Sequence, residues 1–130
     1  EAGYPHYEIS NFSLPTKECR HNITYWTCGD YLGLGASAHS CVGGKRWANP
    51  RDIESYLHGA PPLPEESNPA QETLFLGLRL LDGIAEKLFA DQKNTVADLE
   101  EKGLLSRSDG RVKLTRRGIF FANEVFRAFV

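Results

Sequence analysis

The chain has 130 residues, of which 41% are hydrophobic and 25% charged, with a formal net charge of −2. That balance belongs to a folded globular protein and excludes disordered and fibrous classes. The near-neutral charge gives no global drive toward nucleic acid or anionic lipid, and no apolar run approaches the roughly 20 residues needed to span a bilayer.

From the N-terminus, "HYEISNF" alternates as a short strand over Tyr7 to Phe12, and Pro15 stops it. Cys19, Ile23 and Trp26 then recur at helical spacing, predicting a helix with these three on its apolar face. His21 and Tyr25 lie four apart on another face, where their side chains can meet. The Gly-rich alternation of "YLGLGASAHSCVGG" reads as a buried strand that something approaches closely. "NPRDIESYLHG" predicts a helix with Asn49 as N-cap, Pro50 at N1 and Gly59 as stop.

The run from Gly59 to Pro69 contains four prolines and reads as a linker. After it, "SNPAQETLFLGLRLLDG" predicts a helix with Asn68 as N-cap, Gln71 completing a capping box, Gly83 as C-cap, and an apolar stripe of Leu74, Leu78 and Leu81. "IAEKLF" can form a short helical turn. "NTVADLEEKG" predicts a helix with Thr95 and Asp98 as a capping box and Gly103 as stop. Asp109-Gly110 sets a hairpin turn, and Thr115 caps a last helix carrying Ile119, Ala122, Phe126 and Phe129. Helix, helix, hairpin, helix is a winged-helix-like order.

Three cysteines, Cys19, Cys28 and Cys41, fit a reducing compartment better than a disulfide scaffold, so a cytoplasmic location is expected. The N-terminus lacks the basic and apolar regions of a signal peptide. The cysteines with His21 and His39 do not have the spacing of a closed zinc site. "GLGAS" lacks the third glycine of a dinucleotide fingerprint and the Lys-Ser/Thr of a P-loop. The helix that would read DNA carries Asp98, Glu100 and Glu101 against Lys102, which argues against nucleic acid despite a basic hairpin. For "HNITYW" two readings stand. One is a polar helix face over buried Ile23 and Trp26. The other is a site for a flat aromatic ligand or metalloporphyrin, with His21 as axial ligand and Asn22 orienting a ring N–H.

The blocks "GYPHYEISNFS", "ECRHNITYW", "DYLGLGASAHS", "RWANPRDIESYL" and "ETLFLGLRLLDGI", with the final "EEKGLLSRSDGRVKLTRRGIFFANEVF", resemble the C-terminal part of the oxygen-independent coproporphyrinogen III oxidase-like radical SAM family, HemN/HemW. An HNxxYW motif marks its haem-chaperone branch, HemW, and stands here in full as His21, Asn22, Tyr25 and Trp26. The resemblance implies a parent protein that binds haem at these four residues, with His21 toward the iron, and passes it to client haem proteins. The alternatives are a coproporphyrinogen III oxidase of porphyrin biosynthesis, an oxidoreductase, or a docking module alone. It further implies backbone contacts to S-adenosylmethionine (SAM) near Gly33, Gly35 and His39.

The family's CxxxCxxC motif for a [4Fe-4S] cluster is absent from these residues, and no Met is present. Both imply a C-terminal piece of a longer protein, without radical chemistry of its own, whose partner is the N-terminal barrel that holds the cluster. The expected fold is α+β. Residues 1–58 are the end of a radical SAM (β/α) barrel, 59–67 a Pro-rich linker, and 68–130 a mainly helical winged-helix-like domain. The segment "LFADQKNTVADLEEKG" is shorter than the family leads one to expect.

Overall fold

The computed structural model describes residues 3–130. Strands β1 (His6–Glu8) and β2 (Asn11–Phe12) form an antiparallel pair, so the single strand expected over Tyr7 to Phe12 is a tight hairpin. The His6 ring stacks on Phe12 at 4.1 Å across it. Helix α1 (Arg20–Trp26) follows. A second antiparallel sheet contains β3 (His39–Val42), β4 (Lys45–Ala48) and β5 (Leu63–Glu65), in that order. These strands are antiparallel, unlike the parallel strands of a (β/α) barrel.

Helix α2 (Ile53–Leu57) lies between β4 and β5. It starts three residues later than expected. Its N-cap is Asp52, not Asn49, and the Asp52 carboxylate accepts from Ser55 N at 2.7 Å. That bond to a backbone N–H, and a second to the Ser55 hydroxyl, hold the Asp52 carboxyl below its ordinary pKa. Asn49 is engaged elsewhere, its amide donating to the carbonyls of Gly33 and Gly35. The expected linker is partly ordered as β5, because Arg46 to Ala48 pair with Leu63 to Glu65.

In the second half α3 (Pro69–Gly77) begins as expected, with Asn68 accepting from Gln71 N at 3.3 Å. It ends at Gly77, six residues before Gly83. Gly83 stands instead in the turn before β6 (Ile84–Ala85), at φ +70. A Cβ there would sit 2.2 Å from the Val112 carbonyl, so only glycine lets β6 close against the hairpin. A 3-10 turn (Glu86–Phe89) leads to α4 (Lys93–Glu101), whose N-cap is Gln92. The expected capping box is therefore absent: Thr95 bonds the Gln92 side chain and Asp98 pairs with Lys102.

Strands β7 (Leu105–Ser108) and β8 (Arg111–Leu114) form the expected hairpin, and β6 adds to β8. Asp109 and Gly110 both have positive φ, +55 and +70, as a two-residue hairpin turn of this twist requires. Thr115 caps α5 (Arg116–Phe120), its hydroxyl accepting from Gly118 N. The expected single last helix is two. Phe121, at φ −109 and ψ 23, interrupts it before α6 (Ala122–Arg127). The break turns Ala122, Val125, Phe126 and Phe129 into the core while Phe120 stays outside.

Among the described residues the main hydrophobic cluster is buried in this half: Leu74, Leu78, Phe89, Val96, Leu99, Leu104, Leu105, Val112, Leu114, the α6 side chains and Phe129, with Ile9 of the first half packed against it. Before residue 59 the fully buried residues are Glu8, Ser40 and Cys41, among those described. The first half therefore has no large apolar core of its own and leans on the second. Its β1 runs alongside the segment that follows α3, with Ile9 N donating to the Arg79 carbonyl at 3.0 Å and Leu81 N to the Tyr7 carbonyl at 3.1 Å. A half-buried ion pair, Arg46–Glu72 at 2.8 Å, ties β4 to α3.

Candidate functional site

Helix α1 has a three-faced design, since successive side chains advance by about 100° around a helix. Arg20, Ile23 and Thr24 share one face, which with Thr16 and Glu18 walls a cavity of about 560 Å³. Asn22 and Trp26 share the second, which turns toward α3. There the Arg79 guanidinium lies 4.2 Å from the centre of the Trp26 ring. His21 and Tyr25 share the third, and His21 is exposed.

On that third face the expected meeting takes place. The Tyr25 hydroxyl is 2.8 Å from His21 Nε2, and the two rings sit edge to face at 4.6 Å. Tyr25 also meets Tyr31 edge to face at 4.5 Å. Tyr31 is fixed by backbone bonds in both directions with Cys41, and burial pushes its phenol above the ordinary tyrosine range, with Arg46 opposing. The result is an aromatic row, His21–Tyr25–Tyr31, with an imidazole at its open end.

Cys19 is a correction. Expected on the apolar face with Ile23 and Trp26, it is exposed at the N-cap position, and its N–H donates to the Tyr7 hydroxyl. The helix begins one residue later than the spacing implied, so Cys19 never joins its face. The C-terminus closes by two bonds, Cys28 N to the Tyr25 carbonyl and Gly29 N to the Thr24 carbonyl. This closure needs a left-handed residue, and Cys28 supplies it at φ +53 where glycine is usual.

Known proteins resemble this chain in sequence and in fold. The HemN C-terminal domain family matches residues 66–121. The heme chaperone HemW of Bacillus subtilis is 36% identical over 98% of this chain and 38% of its own length. The HemW of Mycobacterium tuberculosis is 34% identical over 99% of the chain and 36% of its own length. The chain belongs to the HemN/HemW family. It spans about two fifths of the length of these curated relatives. A solved structure, the coproporphyrinogen III oxidase HemN from Escherichia coli, described as a radical SAM enzyme, matches with a TM-score of 0.61 at 16% identity, covering 98% of this chain and 37% of that one. The fold is thus a HemN-type α+β arrangement. The Bacillus alignment runs over 149 positions, more than the 130 residues present, so within the aligned region the relative has residues that this chain lacks.

The glycine-rich segment is not the buried strand its alternation implied: residues 32–38 form no strand, Leu32 and Leu34 are exposed, and only His39–Val42 pairs, with Ser40 and Cys41 buried. A Cβ on Gly33 would stand 2.2 Å from the His39 carbonyl. The close approach at Gly33 is therefore made by the chain's own β3, while nothing lies within 4 Å of a Cβ at Gly35. Gly33 N donates to the Ser40 hydroxyl and Gly35 N to the Tyr56 hydroxyl, while Asn49 takes both glycine carbonyls. The His39 ring pairs with Glu65 at 3.0 Å.

Among the described residues no three His, Cys, Asp or Glu side chains come together to hold a metal ion. The three cysteines are free and do not fit an iron–sulfur cluster. They differ sharply in environment: Cys19 is exposed, Cys28 half-buried and Cys41 buried. Burial pushes the Cys28 thiol above its ordinary pKa, although its contact with Thr73 acts the other way. Since the thiolate is the nucleophile, Cys19 is expected to react first with iodoacetamide at pH 8. Cys28 should follow more slowly and accelerate as pH rises, with Cys41 last. Peptide mass spectrometry over a time course reads this order, and simultaneous labelling of all three would contradict the described burial.

Two residues that support the site are not legible as such in the sequence. Arg79 reads there only as part of a helix, yet it props Trp26. Glu8, in a strand that reads as alternating, is fully buried, with Asn11 donating to one carboxylate oxygen. A carboxylate between Tyr7 and Ile9 in an otherwise apolar alternation is the available signal.

Proposed function

We propose that this chain is the haem-binding part of a HemW-like carrier, which takes haem at His21 and delivers it to client haem proteins in the cytoplasm. The observation that carries this reading is the exposed imidazole of His21, beside Tyr25 on one face of a helix that holds the whole HNxxYW motif, with Asn22 and Trp26 on another face. Tyr25 and Tyr31 beside it offer aromatic edges to a macrocycle. Imidazole is a common axial ligand for haem iron. The naming of the relatives as heme chaperones supports the same reading.

Within this proposal the motif divides its labour. His21 meets the iron, Tyr25 governs access to His21, and Trp26 anchors the helix on the segment just after α3 through Arg79. Residues 68–130 act as a winged-helix-like unit on which the site-bearing first half is mounted. In the longer parent, SAM and a [4Fe-4S] cluster belong to an N-terminal barrel, with the Gly33–His39 segment facing SAM. The oxidase alternative has only a likeness of fold at 16% identity behind it.

Haemin titrated into the chain is expected to give a shifted Soret band that saturates at one equivalent. His21→Ala should remove most of that shift. The folding of the variant is checked by its unchanged far-ultraviolet circular dichroism. If His21→Ala and the unaltered chain titrate identically, His21 is not the ligand and the reading fails.

A further inference from the structure

An imidazole carried on a helix reaches a metalloporphyrin through Nε2. The other nitrogen, Nδ1, adjoins the Cβ attachment, so a broad macrocycle centred on a metal there would collide with the helix. In this chain Nε2 of His21 is occupied: the Tyr25 hydroxyl lies 2.8 Å away. Neutral imidazole has one donor and one acceptor nitrogen. If Tyr25 donates, the Nε2 lone pair is engaged. If Nε2–H donates to the tyrosine oxygen, that nitrogen has no free lone pair. Either tautomer leaves it unable to coordinate.

Tyr25 is also held in this position. Its ring is edge to face with His21 on one side and with Tyr31 on the other, at 4.6 and 4.5 Å. Tyr31 is bonded through its backbone to Cys41 at 2.7 and 2.9 Å. A rotation of the Tyr25 side chain must break one hydrogen bond and leave both ring contacts.

We propose that Tyr25 is a latch on His21: its hydroxyl masks Nε2 and must swing aside before that nitrogen takes a haem iron. This inference rests on the haem reading of His21. Tyr25 is a positioning residue, acting through the imidazole and not on the iron. The latch makes haem uptake a displacement. Because Tyr25 competes for Nε2, the bound state is weakened and the return to the latched state assists release. That suits a site that must give up its cargo. One hydrogen bond of ordinary strength corresponds to a change of about three- to tenfold in an equilibrium or rate.

The test compares Tyr25→Phe, which keeps the ring and removes the hydroxyl, with the unaltered chain. The first readout needs no haem. A free imidazole lone pair attacks a carbonyl of diethyl pyrocarbonate and expels ethyl carbonate, and peptide mass spectrometry follows carbethoxylation at His21, with exposed His58 as the internal reference. His21 in Tyr25→Phe should react about three- to tenfold faster relative to His58. The second readout is stopped-flow haemin binding, where Tyr25→Phe should take up haemin faster and release it more slowly to an excess of apomyoglobin. Equal carbethoxylation of His21 in both proteins overturns the latch, whatever haemin does. Slower haemin uptake by Tyr25→Phe also overturns it, because a hydroxyl that masks Nε2 cannot speed uptake. If His21→Ala binds haemin like the unaltered chain, the haem reading fails separately, and carbethoxylation alone decides whether Tyr25 masks the nitrogen.

Discussion

Phe129→Ala is expected to lower the free energy of unfolding by about 3–5 kcal/mol, the cost of removing a buried phenyl ring and leaving a cavity. Phe129 is 2% exposed and packs edge to face on Phe89 at 5.4 Å, joining the segment after α6 to the 3-10 turn after β6. Domains are stable by only about 5–15 kcal/mol, so this loss is a large share of the total. The paired control is Phe120→Ala. Phe120 belongs to the same helical region but is 82% exposed, and its truncation should cost no more than about 0.5 kcal/mol. Urea unfolding followed by circular dichroism reads both. Equal midpoints for the two variants would mean that the break at Phe121 does not exist in solution.

Arg79→Ala is expected to cost about 0.5–3 kcal/mol, because it removes a cation packed on two aromatic rings that also acts on the buried Glu8 carboxylate. The Glu8 side chain is fully buried; Asn11 takes one carboxylate oxygen, and the other has no hydrogen-bond partner in the protein. The cation acting on Glu8 is Arg79, which lies between the Trp26 ring at 4.2 Å and the Phe126 ring at 5.5 Å. Burial pushes the Arg79 guanidinium below its ordinary pKa, and Glu8 partly restores it. One side chain therefore joins β1, α1 and α6. Its loss should lower the melting temperature, red-shift Trp26 fluorescence as water reaches the ring, and weaken haemin uptake although Arg79 does not touch His21. The double variant Glu8→Gln/Arg79→Ala should recover part of the stability, because it no longer buries an uncompensated carboxylate. A double variant as unstable as the sum of the two single ones would show that the residues act independently.

Much of the local structure was legible. Asn68 and Thr115 cap their helices because each is followed at the right distance by a backbone N–H that has no partner within the helix. Asp109-Gly110 forms the hairpin turn because both residues tolerate positive φ. The pairing of His21 with Tyr25 also followed from spacing, since residues four apart on a helix are neighbours. Helix bounds were less legible. Asn49 is a good cap in isolation, but two glycine carbonyls compete for its side chain and win. Thr95 lost its cap role because the helix starts earlier, at Lys93.

By itself, then, the sequence determined the caps at Asn68 and Thr115, the Asp109-Gly110 turn and the meeting of His21 with Tyr25 on α1, because these depend on contacts a few residues apart. Only the tertiary structure decided which face turns inward, and it put Trp26 under Arg79, left His21 outside and moved Cys19 to the surface. It also decided that the close approach at Gly33 is made by β3 and that Glu8 is buried. The reason is distance along the chain. Glu8 and Arg79, or Gly33 and Asn49, influence each other only after the backbone has folded back, and no short-range pattern records with whom a buried charge or a bare glycine will be paired.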